Sequence, residues 1–116
     1  MRPVFDRDGL VVAWLGADGS LYDPVGMPVA YLDRERLHSY EGTFLGWYVG
    51  GWFRDRAGSA AGFIDGSSGG PSRPAIQEHR PHAPATFVRP VKVAREKAPS
   101  TPVTLAAWVP WSAIFS

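Results

Sequence analysis

Four glycines, Gly9, Gly26, Gly42 and Gly58, stand 17, 16 and 16 residues apart, and the same short pattern surrounds each. The units read VFDRDGLVVAWL, LYDPVGMPVAYL, LHSYEGTFLGWY and FRDRAGSAAGFI. A fixed internal period sets the architecture first, because every copy must adopt one local structure and bury itself against its neighbours. Three residues before the glycines stand Asp6, Asp23, Ser39 and Asp55. Asp or Ser opening a turn and Gly closing it fits a type I turn whose last residue sits at positive φ. Such turns join the two strands of a hairpin, and only glycine enters that conformation without a Cβ clash. The chain therefore opens with four copies of one β-hairpin.

The strands follow from the same frame. Five residues before each glycine an apolar residue begins the incoming strand: Val4, Leu21, Leu37 and Phe53. Three and five residues after it stand Val12 and Trp14, Val29 and Tyr31, Leu45 and Trp47, Ala61 and Phe63. Strict alternation puts each pair on one strand face. Leu15, Leu32, Tyr48 and Ile64 then take the opposite face, so both faces are apolar, as in strands buried on both sides. The fourth position after each glycine is small every time: Ala13, Ala30, Gly46, Gly62. Four small residues at equivalent places mark strands converging near an axis, with the rings Trp14, Tyr31, Trp47 and Phe63 directed away from it. One hairpin is marginal in water, whereas four around an axis cover each other's faces and edges. The expected fold is all-β: four pseudosymmetric hairpins forming a shallow eight-stranded barrel or flower. Its links, Gly16–Ser20, Asp33–Arg36 and Gly50–Gly51, are short, as consecutive antiparallel strands require.

These residues resemble the bacterial four-fold β-flower proteins. The resemblance rests on VAYLD (Val29–Asp33), LGWY (Leu45–Tyr48), GWFRDRAG (Gly51–Gly58) and GF (Gly62–Phe63). It continues through SGGPSRP (Ser68–Pro74), a proline-rich stretch, and a terminal W-x-x-W-S-x-x-F from Trp108 to Phe115, and so covers nearly the whole chain. It implies a small four-fold β structure and a bacterial source, and carries over no catalytic residue. The fold is reminiscent of tubby-like C-terminal domains, some of which bind membrane lipids. The chain departs from the family pattern at Ser39, and in a tail poorer in lysine that contains Glu78, His79 and His82.

A chain of 116 residues makes one domain. Its 15 aromatic rings supply a large apolar payload, so a core is feasible without disulfides. The absence of cysteine excludes a zinc–thiolate site and a thiol nucleophile. No secretory signal and no spanning apolar run is recognisable, so a cytoplasmic location is expected. Residues 1–65 carry six Arg against nine acids, a net of −3. Residues 66–116 carry Arg73, Arg80, Arg89, Lys92, Arg95 and Lys97 against Glu78 and Glu96, a net of +4. The two parts are complementary, so the tail either wraps its own barrel or offers these six cations to an anionic partner.

Three stretches follow: the hairpins (1–65), a Pro/Gly-rich basic tail packing on the barrel (66–102) and an apolar end (103–116). Seven of the eleven prolines fall in the tail, which should be extended or polyproline-like. Pro71, Pro81, Pro90 and Pro99 recur every nine or ten residues, which suggests that the tail visits successive petals with a proline on a ring each time. Trp108, Trp111, Ile114 and Phe115 are too apolar to stay in water and should dock on the core.

Familiar catalytic constellations are missing. His79 and His82 flank Arg80 and Pro81, so no helix face brings them together, and no metal or cofactor is expected. The glycines around Ser67 and Ser68 lack the Lys-Ser/Thr of a phosphate loop. His38 is expected at the surface, and Ser112 at a helix N-cap. The sequence thus points to a non-enzymatic binding or interaction module. A peripheral membrane-lipid binder using the basic tail and aromatic rim is the alternative. Partners are expected to be lipid or protein rather than nucleic acid.

Overall fold

A computed structural model describes residues 1–78, 80–93, 97, 99 and 101–116. Of the residues singled out above, His79, Arg95 and Glu96 lie outside the described residues. The eight strands are β1 (Arg2–Phe5), β2 (Val11–Leu15), β3 (Ser20–Tyr22), β4 (Pro28–Asp33), β5 (Arg36–His38), β6 (Phe44–Val49), β7 (Trp52–Asp55) and β8 (Ala60–Phe63). They run in sequence order around a closed antiparallel barrel, sealed where Phe5 of β1 meets Phe63 of β8. A 3-10 helix, Trp111–Phe115, follows the tail.

The four turns are copies of one another. Gly9, Gly26, Gly42 and Gly58 have φ of 77°, 95°, 93° and 96°. Each donates its N–H to the carbonyl three residues back, at 3.0 Å in all four turns. The side chain at that earlier position closes the turn. Asp6 and Asp23 each accept two backbone amides through Oδ1, from Asp8 and Leu10 and from Val25 and Met27. Asp55 accepts the amide of Ser59, and Ser39 Oγ that of Thr43, so serine serves where the pattern departs from aspartate. The opposite end repeats as well. Leu32, Tyr48 and Ile64 donate their amides to Gly19, Glu35 and Gly51 of the preceding links.

One feature of the strands differs from simple alternation. In every hairpin the register slips at the same place: Val4 pairs with Ala13 and Phe5 with Val11, and the other three follow suit. Val12, Val29, Leu45 and Ala61 are the extra residues of four equivalent β-bulges. A bulge turns two successive side chains toward the same side. Leu45 and Ala61 therefore join Ala13, Ala30, Leu15 and Ile64 inside the barrel, with Val12 and Val29 packed against that cluster. Trp14, Tyr31, Trp47 and Phe63 stay outside. The expected pairing of Val12 with Trp14, and of its equivalents, on one face is thus corrected by the bulge.

The outside is nevertheless dry. All four rings are buried, as are Phe5, Tyr22, His38 and Arg54 beside them. His38, expected at the surface, is 2% exposed and stacks on Tyr31 with ring centroids 5.9 Å apart. The physical reason is a second layer of chain over the wall. Gln77 N–H donates to Gly9 O at 2.9 Å, Phe87 N–H to Gly26 O at 3.1 Å, and Leu105 N–H to Gly58 O at 3.0 Å. Val93 N–H reaches Tyr40 O at the third hairpin. The tail therefore girdles the barrel, petal by petal. The regularly spaced prolines are not packed alike, although the Pro99 carbonyl accepts from Arg36 Nε at 3.2 Å. Pro81, Pro90 and Pro99 are exposed, while Pro71, Pro74, Pro84 and Pro102 are half-buried. Over two of the rings stands a cation: Arg80 over Phe5 at 5.5 Å and Lys92 over Tyr31 at 4.5 Å.

Candidate functional site

A barrel has two mouths, and this chain treats them differently. At the turn end the tail pairs with β8 through a parallel bridge between Ala60 and Trp108. Trp108 lies edge-on to Trp52 at 5.3 Å. The chain then enters the mouth as the 3-10 helix. Ile114 is fully buried among the core residues, and Trp111 stands edge-on to Phe53 at 5.5 Å. Gly62 makes room for it, since a Cβ there would lie 2.9 Å from the Trp111 ring. Arg56 bridges Phe44 O at 2.9 Å and Ser116 O at 2.7 Å, tying the plug to β6. Ser112 lies inside this helix, whose N-cap is Pro110, because proline's fixed φ already sets the entry.

The link end is open. A cavity of about 530 Å³ is lined by Leu15, Leu32 and Tyr48, the same repeat position in three hairpins, together with Met1, Arg2, Gly16, Ala17 and Gly19. The three side chains continue the inner face of β2, β4 and β6 toward the links, so this mouth opens on the barrel axis. Its walls are apolar, and its one charged side chain is the Arg2 guanidinium, next to Met1, which bears the amino terminus. Among the described residues Arg2 is in no ion pair. Burial pushes the Tyr48 phenol above its ordinary value, and the neighbouring Arg2 charge opposes that rise. Burial raises Tyr40 too. A pKa raised in the folded state contributes stability below the unfolded value, and that stability is lost as pH climbs through the folded value. The melting temperature should therefore fall as pH passes 10, and Tyr48→Phe should blunt that fall in a pH series of thermal melts.

Among the described residues the tail cations do not converge. Arg89 pairs with Asp18 and donates to Ser20 Oγ at 3.0 Å. The amide of Ser20, ahead of other causes, holds the Asp18 carboxyl below its usual range. Arg80 and Lys92 cover rings of different hairpins, as described. Arg73 lines a shallow recess with Asp65, Ser72 and Ile76, and Lys97 is exposed. Arg80, Arg89 and Lys92 thus face different parts of the barrel.

Two elements escaped the sequence reading. Arg54 occupies the place held by Phe5, Tyr22 and His38 in the other repeats, and is 1% exposed. Its Nη1 donates to Gly58 O at 2.7 Å and to Leu105 O at 2.6 Å, fastening tail to turn. Burial lowers its pKa, yet a guanidinium keeps its proton. The second is a repeat within the tail. Pro74-Ala75-Ile76-Gln77, Pro84-Ala85-Thr86-Phe87 and Pro102-Val103-Thr104-Leu105 each place their second carbonyl over a turn glycine and their fourth amide on its oxygen. The proline followed by a small or branched residue, ahead of each bond, was the available signal.

Among the described residues no group of three or more His, Cys, Asp or Glu could hold a metal ion, and no helix is long and apolar enough to cross a membrane. A family model described as 4-fold beta flower protein matches residues 2–114. No curated protein and no solved structure matches the chain.

Proposed function

We propose, starting from the fact that the chain belongs to the 4-fold beta flower family, that it is a non-enzymatic binding module whose ligand enters the link-end mouth. The observation that supports this most is the asymmetry of the two mouths. One is plugged by Ile114 and Trp111 of the same chain, with an apolar recess of about 320 Å³ left beside the plug, and the other holds a cavity of about 530 Å³ with no tail residue in its lining. A cavity of a few hundred Å³ with apolar walls and few polar groups is the usual form of a small-molecule site. A non-enzymatic role is supported by the turn acids. Asp6, Asp23 and Asp55 each accept backbone amides in separate hairpins, which commits them to structure.

The reading is tested with a neutral amphiphile. Titration of 1-octanol into methyl-labelled protein should give saturable shifts at Leu15 and Leu32. Shifts confined to the exposed tail valines, or none, would remove the mouth from consideration.

A second reading, contact with an anionic lipid surface through the tail, draws on Val88 and Val91. They are 95% and 88% exposed and alternate with Arg89 and Lys92, which reach back to the barrel. A three-residue period of this kind is that of a polyproline-like strand. Flotation with anionic vesicles that Val88→Ser and Val91→Ser together abolish would favour it. Protein that stays at the bottom with anionic and neutral vesicles alike would end it.

A further inference from the structure

We infer that the link-end mouth takes a small amphiphile with one carboxylate head and an apolar body. This deepens the reading of that mouth as the binding site and rests on it. Leu15, Leu32 and the Tyr48 ring form the wall, and they offer a body surface and shape rather than hydrogen bonds. Arg2 is the one charged side chain of the lining, and no acid lies among the lining residues to neutralise it. The two polar side chains line the same cavity, and the Arg2 charge opposes the rise of the Tyr48 phenol. A desolvated phenol stays protonated at neutral pH and so is a donor. A guanidinium fork together with a phenolic donor matches the two oxygens of one carboxylate, because Arg binds carboxylates bidentately.

Size limits the body. A cavity of about 530 Å³ falls in the range of sites for small ligands, and a body on the order of ten non-hydrogen atoms suits it. The head lies at the rim and the body points down the axis toward the closed core. In that pose each added methylene is transferred from water to apolar wall until the floor is reached.

The test compares octanoate with 1-octanol on the full-length chain in vesicle-free buffer, by isothermal calorimetry and by the Leu15 and Leu32 methyl shifts. Octanoate should bind about tenfold more tightly than octanol, the scale of a hydrogen bond to a charged group. Across hexanoate, heptanoate and octanoate the affinity should rise by about two- to fourfold per methylene. In Arg2→Gln the octanoate-to-octanol ratio should fall to near one. Tyr48→Phe should lower the ratio as well. Arg73→Gln, in the tail, should leave it intact. Each variant is first checked for an unchanged thermal midpoint near neutral pH. Equal binding of acid and alcohol overturns the carboxylate assignment and leaves the mouth as a site. An acid preference that survives Arg2→Gln, or appears only with vesicles present, overturns it too. Failure of both probes to bind overturns the mouth itself.

Discussion

Truncation after Gly66 should abolish cooperative folding. The fragment keeps all eight strands but loses both the girdle and the plug. Ile114 is fully buried in the core, and Trp111, Val109 and Trp108 pack against the clusters of the barrel. Burying such side chains is worth about 1.5–3 kcal/mol each. Domains are stable by only about 5–15 kcal/mol in total, so losing several of these contacts exhausts the margin. The expected product aggregates, or lacks near-ultraviolet dichroism and a sigmoidal urea transition. Within the full chain, Ile114→Ala should cost about 2–5 kcal/mol by the same logic. Amide exchange should grade along the tail. Val109 N–H, bonded to Ala60 O at 2.8 Å inside the parallel bridge, should exchange more slowly than Gln77 N–H and Phe87 N–H. A fragment that stays monomeric with an unchanged melting temperature would make the tail a separate appendage.

Trp47→Ala should destabilise by about 3–5 kcal/mol in chemical denaturation, the range for removing a buried large aromatic. The ring is 1% exposed and lies edge-on to Phe44 at 5.0 Å. It nonetheless sits on the outer face of the barrel, so its burial depends on covering chain. A loss under about 1 kcal/mol would show that the outer layer lifts freely in solution, leaving the rings as a contact surface. Val25→Ala, at a turn residue that is 68% exposed, is the matched control and should change stability little.

Much of this architecture is legible in residue spacing, for a definite reason. Positive φ and a side-chain acceptor are demands of one residue each, so Asp23 and Gly26 announce their turn without tertiary information. The bulge is harder. Val29 and Ala30 read as ordinary alternation, and only the pairing of Leu21 with Ala30 and Tyr22 with Pro28 shows the extra residue. His38 was misplaced because exposure is a property of the whole assembly. Its strand position faces outward as expected, but outward is not solvent once the tail lies over it. The prolines that precede the turn contacts, Pro74, Pro84 and Pro102, are less regularly spaced than Pro71, Pro81, Pro90 and Pro99 and so stand out less in the sequence. The link-end mouth, finally, needs Arg2 and Tyr48 to line one cavity from 46 positions apart in sequence, which no local pattern encodes.

The girdle also has a consequence in time. A ribosome releases the four hairpins before the residues that cover and plug them. At about 5–20 residues per second, the fifty residues after Gly66 take roughly 2.5–10 s to make. Through that interval Trp14, Tyr31, Trp47 and Phe63 are uncovered on a nascent chain that has no Ile114 to seat. Four structurally equivalent hairpins on neighbouring nascent chains could then exchange partners. The interval is the period in which this protein depends most on its surroundings, and slow translation of residues 67–116 should lower its soluble yield more than slow translation of the hairpins.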